Sequence, residues 1–147
     1  MNDLYNVSEV KLSYETNNKS KLKVNSSASI FVLMVHDWEQ IEYRETFKIL
    51  LLDRANHALG VNTLSTGGLS DTKVDVRMIL QGALLANASG IVCCHNHPSG
   101  EVKPSFADDA VTLKIMQAAK TMDIQLIDHL VIAKDGYYSY ADEGRLK

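Results

Sequence analysis

The chain has 147 residues, enough for one domain with a single sizeable core. Hydrophobic residues make up 46% and charged residues 22%, the balance of a soluble globular protein, which excludes a disordered chain. The net charge of −3 and a pI near 5.9 argue against a dominant nucleic-acid-binding surface, so direct nucleic-acid binding is unsupported by charge and only a local basic patch stays open.

No apolar run approaches the roughly 20 residues that a membrane span needs. The N-terminal MNDLYNVSEV lacks a basic region followed by an apolar stretch, so a secretory signal is not expected. Cys93 and Cys94 are adjacent and cannot form an ordinary disulfide staple, which points to a reducing, cytoplasmic location. With two prolines, eight glycines and no repeat, heptad or low-complexity tract, nothing marks a linker. The expectation is one domain over 1–147, with 1–6 as a loose tail.

Residues Val7–Tyr14 alternate, as an edge strand would. Asn17–Ser27 reads as a loop, and Ser27 as the cap of a helix running to about Trp38, with Ile30, Met34 and Trp38 at four-residue steps. Phe47–Leu52 and Leu59–Leu64 read as strands joined by a turn near Asp53–Asn56. From Asp71 the spacing of Val76, Ile79, Leu80, Ala83 and Leu84 predicts a helix. Ile91–Cys94 is a fully apolar strand. Ser105 opens a second helix with Ala107, Ala110, Val111, Ile115, Ala118, Ala119 and Met122 as its apolar face. Ile124–Ile132 is a strand, and Asp135–Gly136 turns into a last one at Tyr137–Tyr140. Strands interleaved with helices predict an α/β layered fold around a mostly buried sheet.

The chemistry concentrates where Ile91–Cys94 runs out into His95-Asn96-His97-Pro98, followed by Ser105-Phe106-Ala107-Asp108. Side chains two apart on a strand share a side, so His95 and His97 present both imidazoles together. Asp108, in the first turn of the next helix, can add an oxygen ligand. His₂Asp leaves the fourth tetrahedral position for water, the pattern of a catalytic rather than a structural zinc. Glu45, just before Phe47–Leu52, is the candidate to move protons, and Ser105 can donate to charge developing on a carbonyl oxygen. Each feature also has a plain reading. His-x-His can be an ordinary pair, Ser105-x-x-Asp108 a capping box, and Glu45 a surface carboxylate. Cys93 and Cys94 are small core residues or, beside His95, a thiolate ligand. Asp109 is the fallback ligand if the helix register shifts by one. His129, inside the apolar Leu126–Ile132, is either a buried histidine held by backbone or a residue backing the site or lining the substrate groove. His36 and His57 read as solvent-facing.

As a set, His95-x-His97-Pro98, six residues from Ser99 to Pro104, then Ser105-x-x-Asp108, resembles the JAMM motif of the JAB/MPN metallohydrolases. Glu45-Thr46-Phe47 through Asp53 is similar to that family's glutamate-bearing segment. Adding Ser99-Gly100, Ile127-Asp128-His129 and Gly136-Tyr137-Tyr138-Ser139, the chain resembles the bacterial RadC group from about Val7 to Tyr140. The resemblance implies a curved mixed sheet flanked by helices, of the cytidine-deaminase-like architecture. It implies one Zn²⁺ per chain on His95, His97 and Asp108, with Glu45 and Ser105 as catalytic groups. The implied activity is a metallopeptidase or isopeptidase acting on a peptide, a protein or a modifier conjugate, with a family-level association with DNA repair. The alternative is a non-catalytic zinc-containing accessory module in DNA repair or mobile-element biology. RadC proteins usually carry an N-terminal helix-hairpin-helix region; this chain resembles a short form without it. A deaminase would need His-x-Glu and Pro-Cys-x-x-Cys, which are absent, as is His-Glu-x-x-His. The letters HNH at His95–His97 are too close together for the nuclease motif of that name. The oligomeric state stays open.

Overall fold

Helix starts follow from local capping. In the computed structural model, which describes residues 7–17, 22–67 and 74–147, Ser26 and Ser29 form a reciprocal capping box ahead of α1 (Ser27–Val35). Asp75 accepts the Arg77 N–H to open α2 (Val76–Leu85), and Ser105 caps α3 (Phe106–Thr121). The strands are β1 (Thr46–Leu52), β2 (Ala58–Thr66), β3 (Gly90–Asn96), β4 (Gln125–Ala133) and β5 (Gly136–Ser139).

These strands form one mixed sheet in the order β2-β1-β3-β4-β5. Only β3 and β4 are parallel neighbours; the other pairs are antiparallel. The β2–α2–β3 and β3–α3–β4 crossovers travel the same way across the sheet, so a common handedness puts both helices on one face. There Ile79, Ala83, Ile115 and Ala119 pack on Phe47, Ile49, Ile91, Cys93 and Leu126. On the opposite face α1 packs Ile30 and Met34 against Leu50, Val92, Leu130 and Ile132. The α/β class with a mixed sheet between helices is what the sequence predicts.

The parallel pair is irregular at one point that matters for the site. Ile91 stands opposite Leu126, but Val92 stands opposite Asp128, so Ile127 is an extra residue, a β-bulge. Leu126 faces α3, and strict alternation would send Asp128 there too. The bulge shifts the count by one, and His129, opposite Cys93, takes the α3 face instead.

Several expectations change. Val7–Tyr14 is not a strand: Val7, Val10 and Leu12 are exposed, and the Tyr14 hydroxyl donates to the Leu59 carbonyl at 2.6 Å. Alternation without a partner edge has nothing to hydrogen-bond. α1 starts one residue earlier than expected and ends at Val35, yet Trp38 still reaches the core beyond it, under the Lys48 ammonium at 4.7 Å. Leu84 is 47% exposed, and α2 buries only Ile79 and Ala83. In α3, Ala107 and Ala110 are exposed while the polar Thr112 is buried. Residues 1–6, the 18–21 part of the expected loop and the expected helix start at Asp71 lie outside the described residues.

Candidate metal centre

Alternation along β3 divides its last residues between the two faces. His95 follows Ile91 and Cys93 toward α3, and Asn96 follows Val92 and Cys94 toward α1. His97 lies one residue past the strand, its N–H donating to the Ile132 carbonyl at 3.0 Å. A turn then closes from the Gly100 N–H to the His97 carbonyl at 3.0 Å; Gly100 has φ +88°, where a side chain would be strained.

Glu45 immediately precedes β1, two residues before Phe47, and so shares its face. The Phe47 ring stacks on His95 with centroids 5.7 Å apart, which brings Glu45 alongside the histidines. Asn96 fixes this segment from the other side of the sheet. Its Oδ1 accepts the Thr46 N–H at 2.7 Å, and its Nδ2 donates to the carbonyls of Ile41 (2.8 Å) and Arg44 (2.7 Å). Gly67 donates to the Glu45 carbonyl at 2.8 Å. Asp108 is held by the start of α3: its Oδ2 accepts the Ser105 N–H at 2.8 Å, while the Ser105 hydroxyl accepts the Asp108 N–H at 3.1 Å. Capping and convergence on the histidines are therefore one arrangement. The box aims the carboxylate.

Glu45, His95, His97 and Asp108 each direct one ligand atom into a cluster less than 4.8 Å across, a group that could bind a metal ion. His95 Nε2 is 3.1 Å from His97 Nε2 and 3.2 Å from Asp108 Oδ1, and His97 Nε2 is 3.2 Å from Asp108 Oδ2. Ligand atoms about 2.1 Å from a tetrahedral zinc stand roughly 3.4 Å apart, so these three separations fit a shared cation. Glu45 Oε1, at 4.0 Å from His95 Nε2, lies farther out. The His95 side chain is 2% exposed, against 12% for Glu45, 18% for His97 and 15% for Asp108, so the cluster is backed by protein and open in front. Beside His97 opens a cavity of about 360 Å³ walled by Ile41, Pro98, Gly100, Val102 and Gly136.

The electrostatics favour a positive charge here. His97 Nδ1 lies 2.7 Å from the Glu101 carbonyl, which can only accept, so that nitrogen carries a proton and the neutral ring has its lone pair on Nε2. The Asp108 carboxylate raises the His97 pKa, against burial. Burial pushes the Asp108 carboxyl up, but the His95 and His97 rings against it outweigh that and hold it far below the carboxylate range. Behind the cluster, His95 Nδ1 meets His129 Nε2 at 2.8 Å, and His129 Nδ1 meets the Thr112 hydroxyl at 2.6 Å. Burial, with His95 close by, lowers the His129 pKa well below the usual imidazole value. Tyr140 stacks on His129 at 5.0 Å and donates to Asp109 Oδ1 at 2.7 Å.

The neighbouring groups take the following places. Asp109 is turned to Tyr140 and to Arg145, 2.8 Å away, and not to the histidines. Cys93 and Cys94 are fully buried on opposite faces, and burial raises both thiols, which fits core residues rather than thiolate ligands. Ser105 caps α3 and keeps its hydroxyl beside Asp108. His129 is bonded to side chains, not backbone, through its ring. His36 is exposed, but His57 is half-buried against Asp53 at 3.1 Å. Asn96, Thr112 and Tyr140 escape a sequence reading. The one signal for Thr112 is its place one turn after Asp108, and for Asn96 its place between two histidines of opposite facing.

Residues 24–145 match the family of the RadC-like JAB domain. The chain is 40% identical over 122 residues to a UPF0758 protein of Flavobacterium johnsoniae, covering 83% of this chain and 53% of that one. It is 41% identical over 103 residues to the UPF0758 protein YeeS of Escherichia coli, covering 70% of each. It is 37% identical over 103 residues to a UPF0758 protein of Thermotoga maritima, covering 70% of this chain and 46% of that one. The chain thus spans about half the length of the Flavobacterium and Thermotoga relatives. Among the described residues no helix is long and apolar enough to cross a membrane. With His95, His97 and Asp108 converging beside Glu45 on a mixed sheet between helices, and the match running from Val24 to Arg145, the chain belongs to the RadC-like JAB family.

Proposed function

We propose that the protein is a zinc-dependent hydrolase of amide bonds, a metallopeptidase or isopeptidase. The observation that carries this reading is the pairing of a three-ligand cluster with a carboxylate just outside it, Glu45 Oε1 at 4.0 Å from His95 Nε2. A Zn²⁺ held by His95, His97 and Asp108 would supply Lewis acidity and bring the pKa of water toward roughly 7. Glu45 takes the proton from the attacking water and delivers it to the departing amine. Its backbone, clamped through Asn96 and Gly67, keeps that carboxylate within reach of the cluster. Ser105 accepts a hydrogen bond from Asp108 and so keeps its own hydroxyl proton to donate to the developing oxyanion. The cavity beside His97 gives an extended peptide room on one side of the reacting carbonyl.

The test loads the wild type and Glu45→Gln with Zn²⁺, measures metal content, and assays both on peptide and isopeptide libraries. Expected is one zinc per chain in both, lost in His95→Ala/His97→Ala, with turnover in Glu45→Gln reduced by about 10²–10⁴-fold, the usual contribution of a general acid–base. Full turnover in Glu45→Gln overturns the assignment. Zinc without turnover in the wild type favours instead an accessory module that keeps the metal for structure.

A further inference from the structure

Behind the cluster, every polar contact of His95 that faces inward belongs to one line of groups: His95 Nδ1, His129 Nε2 and Nδ1, Thr112 Oγ1 and the Asp108 carbonyl. The direction of the protons along it follows from its last member. A carbonyl only accepts, so the Thr112 hydroxyl, 2.7 Å from the Asp108 carbonyl, spends its single proton there. The 2.6 Å contact between Thr112 Oγ1 and His129 Nδ1 then needs the proton on the imidazole. His129 is fully buried, and its ring nitrogens meet a histidine and a hydroxyl rather than a carboxylate, so the ring is neutral with one proton only. Its Nε2 is therefore an acceptor, and the 2.8 Å contact requires His95 Nδ1 to be the donor. That leaves the lone pair of His95 on Nε2, the nitrogen facing His97 and Asp108.

We infer that Thr112 and His129 are positioning residues that fix the tautomer of His95 and present its Nε2 lone pair to the metal cluster. The line starts at a backbone atom of Asp108, whose side chain is itself in the cluster, so it closes a ring: Asp108 carboxylate, His95, His129, Thr112, Asp108 carbonyl. The relative orientation of two ligands from different elements, β3 and α3, is thereby set through contacts that never touch a substrate. Among the described residues His97 reaches the same tautomer by a single bond to the Glu101 carbonyl. The inward histidine is the one that needs side chains to do it, because β3 and β4 spend their own carbonyls on each other.

The inference rests on the metal reading of the cluster but is testable without it. In metal-free full-length protein at mildly alkaline pH, long-range ¹H–¹⁵N spectra of the imidazoles should show His95 and His129 both in the Nδ1–H form. A His95 carrying its proton on Nε2 overturns the proposal, whatever the protein does with metals. Zn²⁺ titration supplies the second readout. Thr112→Val should weaken zinc affinity by about 10–100-fold, the usual effect of removing a partner behind a ligand. Thr112→Ser, which restores the hydroxyl, should return affinity to within a few-fold of the wild type. Equal affinity in wild type and Thr112→Val, with both folded by circular dichroism, overturns the proposal while leaving the metal reading intact. If no variant and no wild type binds zinc, the metal reading fails and the tautomer spectrum alone decides the assignment.

Discussion

The two faces of the sheet at the end of β3 carry buried polar side chains of opposite kinds. On the α1 face, Asn96 is saturated by backbone and Asp128 by backbone and one hydroxyl. Asn96 makes three bonds to the Ile41–Thr46 segment, and Asp128 accepts from the N–H groups of His129 (2.7 Å) and Ala141 (3.0 Å) and from the Ser139 hydroxyl (2.6 Å). On the α3 face, one nitrogen of each of His95 and His97 is held from behind, and the other nitrogens converge within 3.1 Å beside the Asp108 carboxylate. Buried polar groups normally find partners. A saturated group holds chain in place, whereas nitrogens and a carboxylate supported from behind and converging on one point are arranged to hold a cation. The first face builds the frame for Glu45 and Tyr140; the second is the frame's purpose.

The contrast can be broken from the α1 side first, where the largest stability effect is expected. Asn96→Asp turns a carboxylate toward the carbonyls of Ile41 and Arg44 in a fully buried position. Losing both donors and burying a charge should cost about 3–5 kcal/mol in chemical denaturation, and a folded remnant should keep its histidine pair but lose the Glu45 register. Ser105→Ala comes next. Removing the Ser105 hydroxyl should cost about 1 kcal/mol, read as a shifted denaturation midpoint. It should also lower zinc affinity, because the Asp108 N–H loses its acceptor and the first turn of α3 loosens while the Ser105 N–H still holds the carboxylate. An unchanged affinity would show that the two roles of Asp108 are separable.

The smallest effect sharpens the comparison through pH. Burial raises the Asp128 carboxyl, partly offset by its hydrogen bonds to Ser139, Ala141 and His129. The folded state therefore binds that proton more tightly than the unfolded chain does, so stability falls as pH rises from about 4 through the raised value. Asp128→Asn keeps the two N–H bonds and lets the Ser139 hydroxyl turn to accept. Its stability at neutral pH should stay within about 1 kcal/mol of the wild type, and its stability-against-pH curve should lose that slope.

Much of the fold is legible because apolar spacing and caps are local. Val76, Ile79 and Ala83 mark α2, Ser105 marks α3, and Ile91–Cys94 marks the central strand. The cluster is legible for the same reason: His95, His97 and Asp108 are close in sequence, and Glu45 precedes an obvious strand. What failed depends on partners elsewhere. Val7–Tyr14 alternates convincingly but lacks an edge to pair with, and Thr112 looks like a solvent-facing threonine until β4 brings His129 beside it. Asn96 sits inside the motif yet works on a loop fifty residues earlier, at Thr46, a distance that no local pattern carries.

The bulge at Ile127 makes the site a matter of parity. His95 on β3 and His129 on β4 share a face because Ile127 is left out of the ladder, and Gly90 accommodates it: a Cβ there would stand 2.4 Å from the Ile127 Cδ1. Pairing Ile127 with Val92 in a regular ladder would preserve every residue while exchanging the two neighbours, turning an acid toward α3 and an imidazole toward the backbone that Asp128 now holds. Deleting Ile127 would instead close the bulge and keep both facings. A one-residue slip of β4 against β3 beyond Leu126 therefore undoes the site even when every side chain is kept. The strand is read by counting, and its count is as much a part of the site as its histidine.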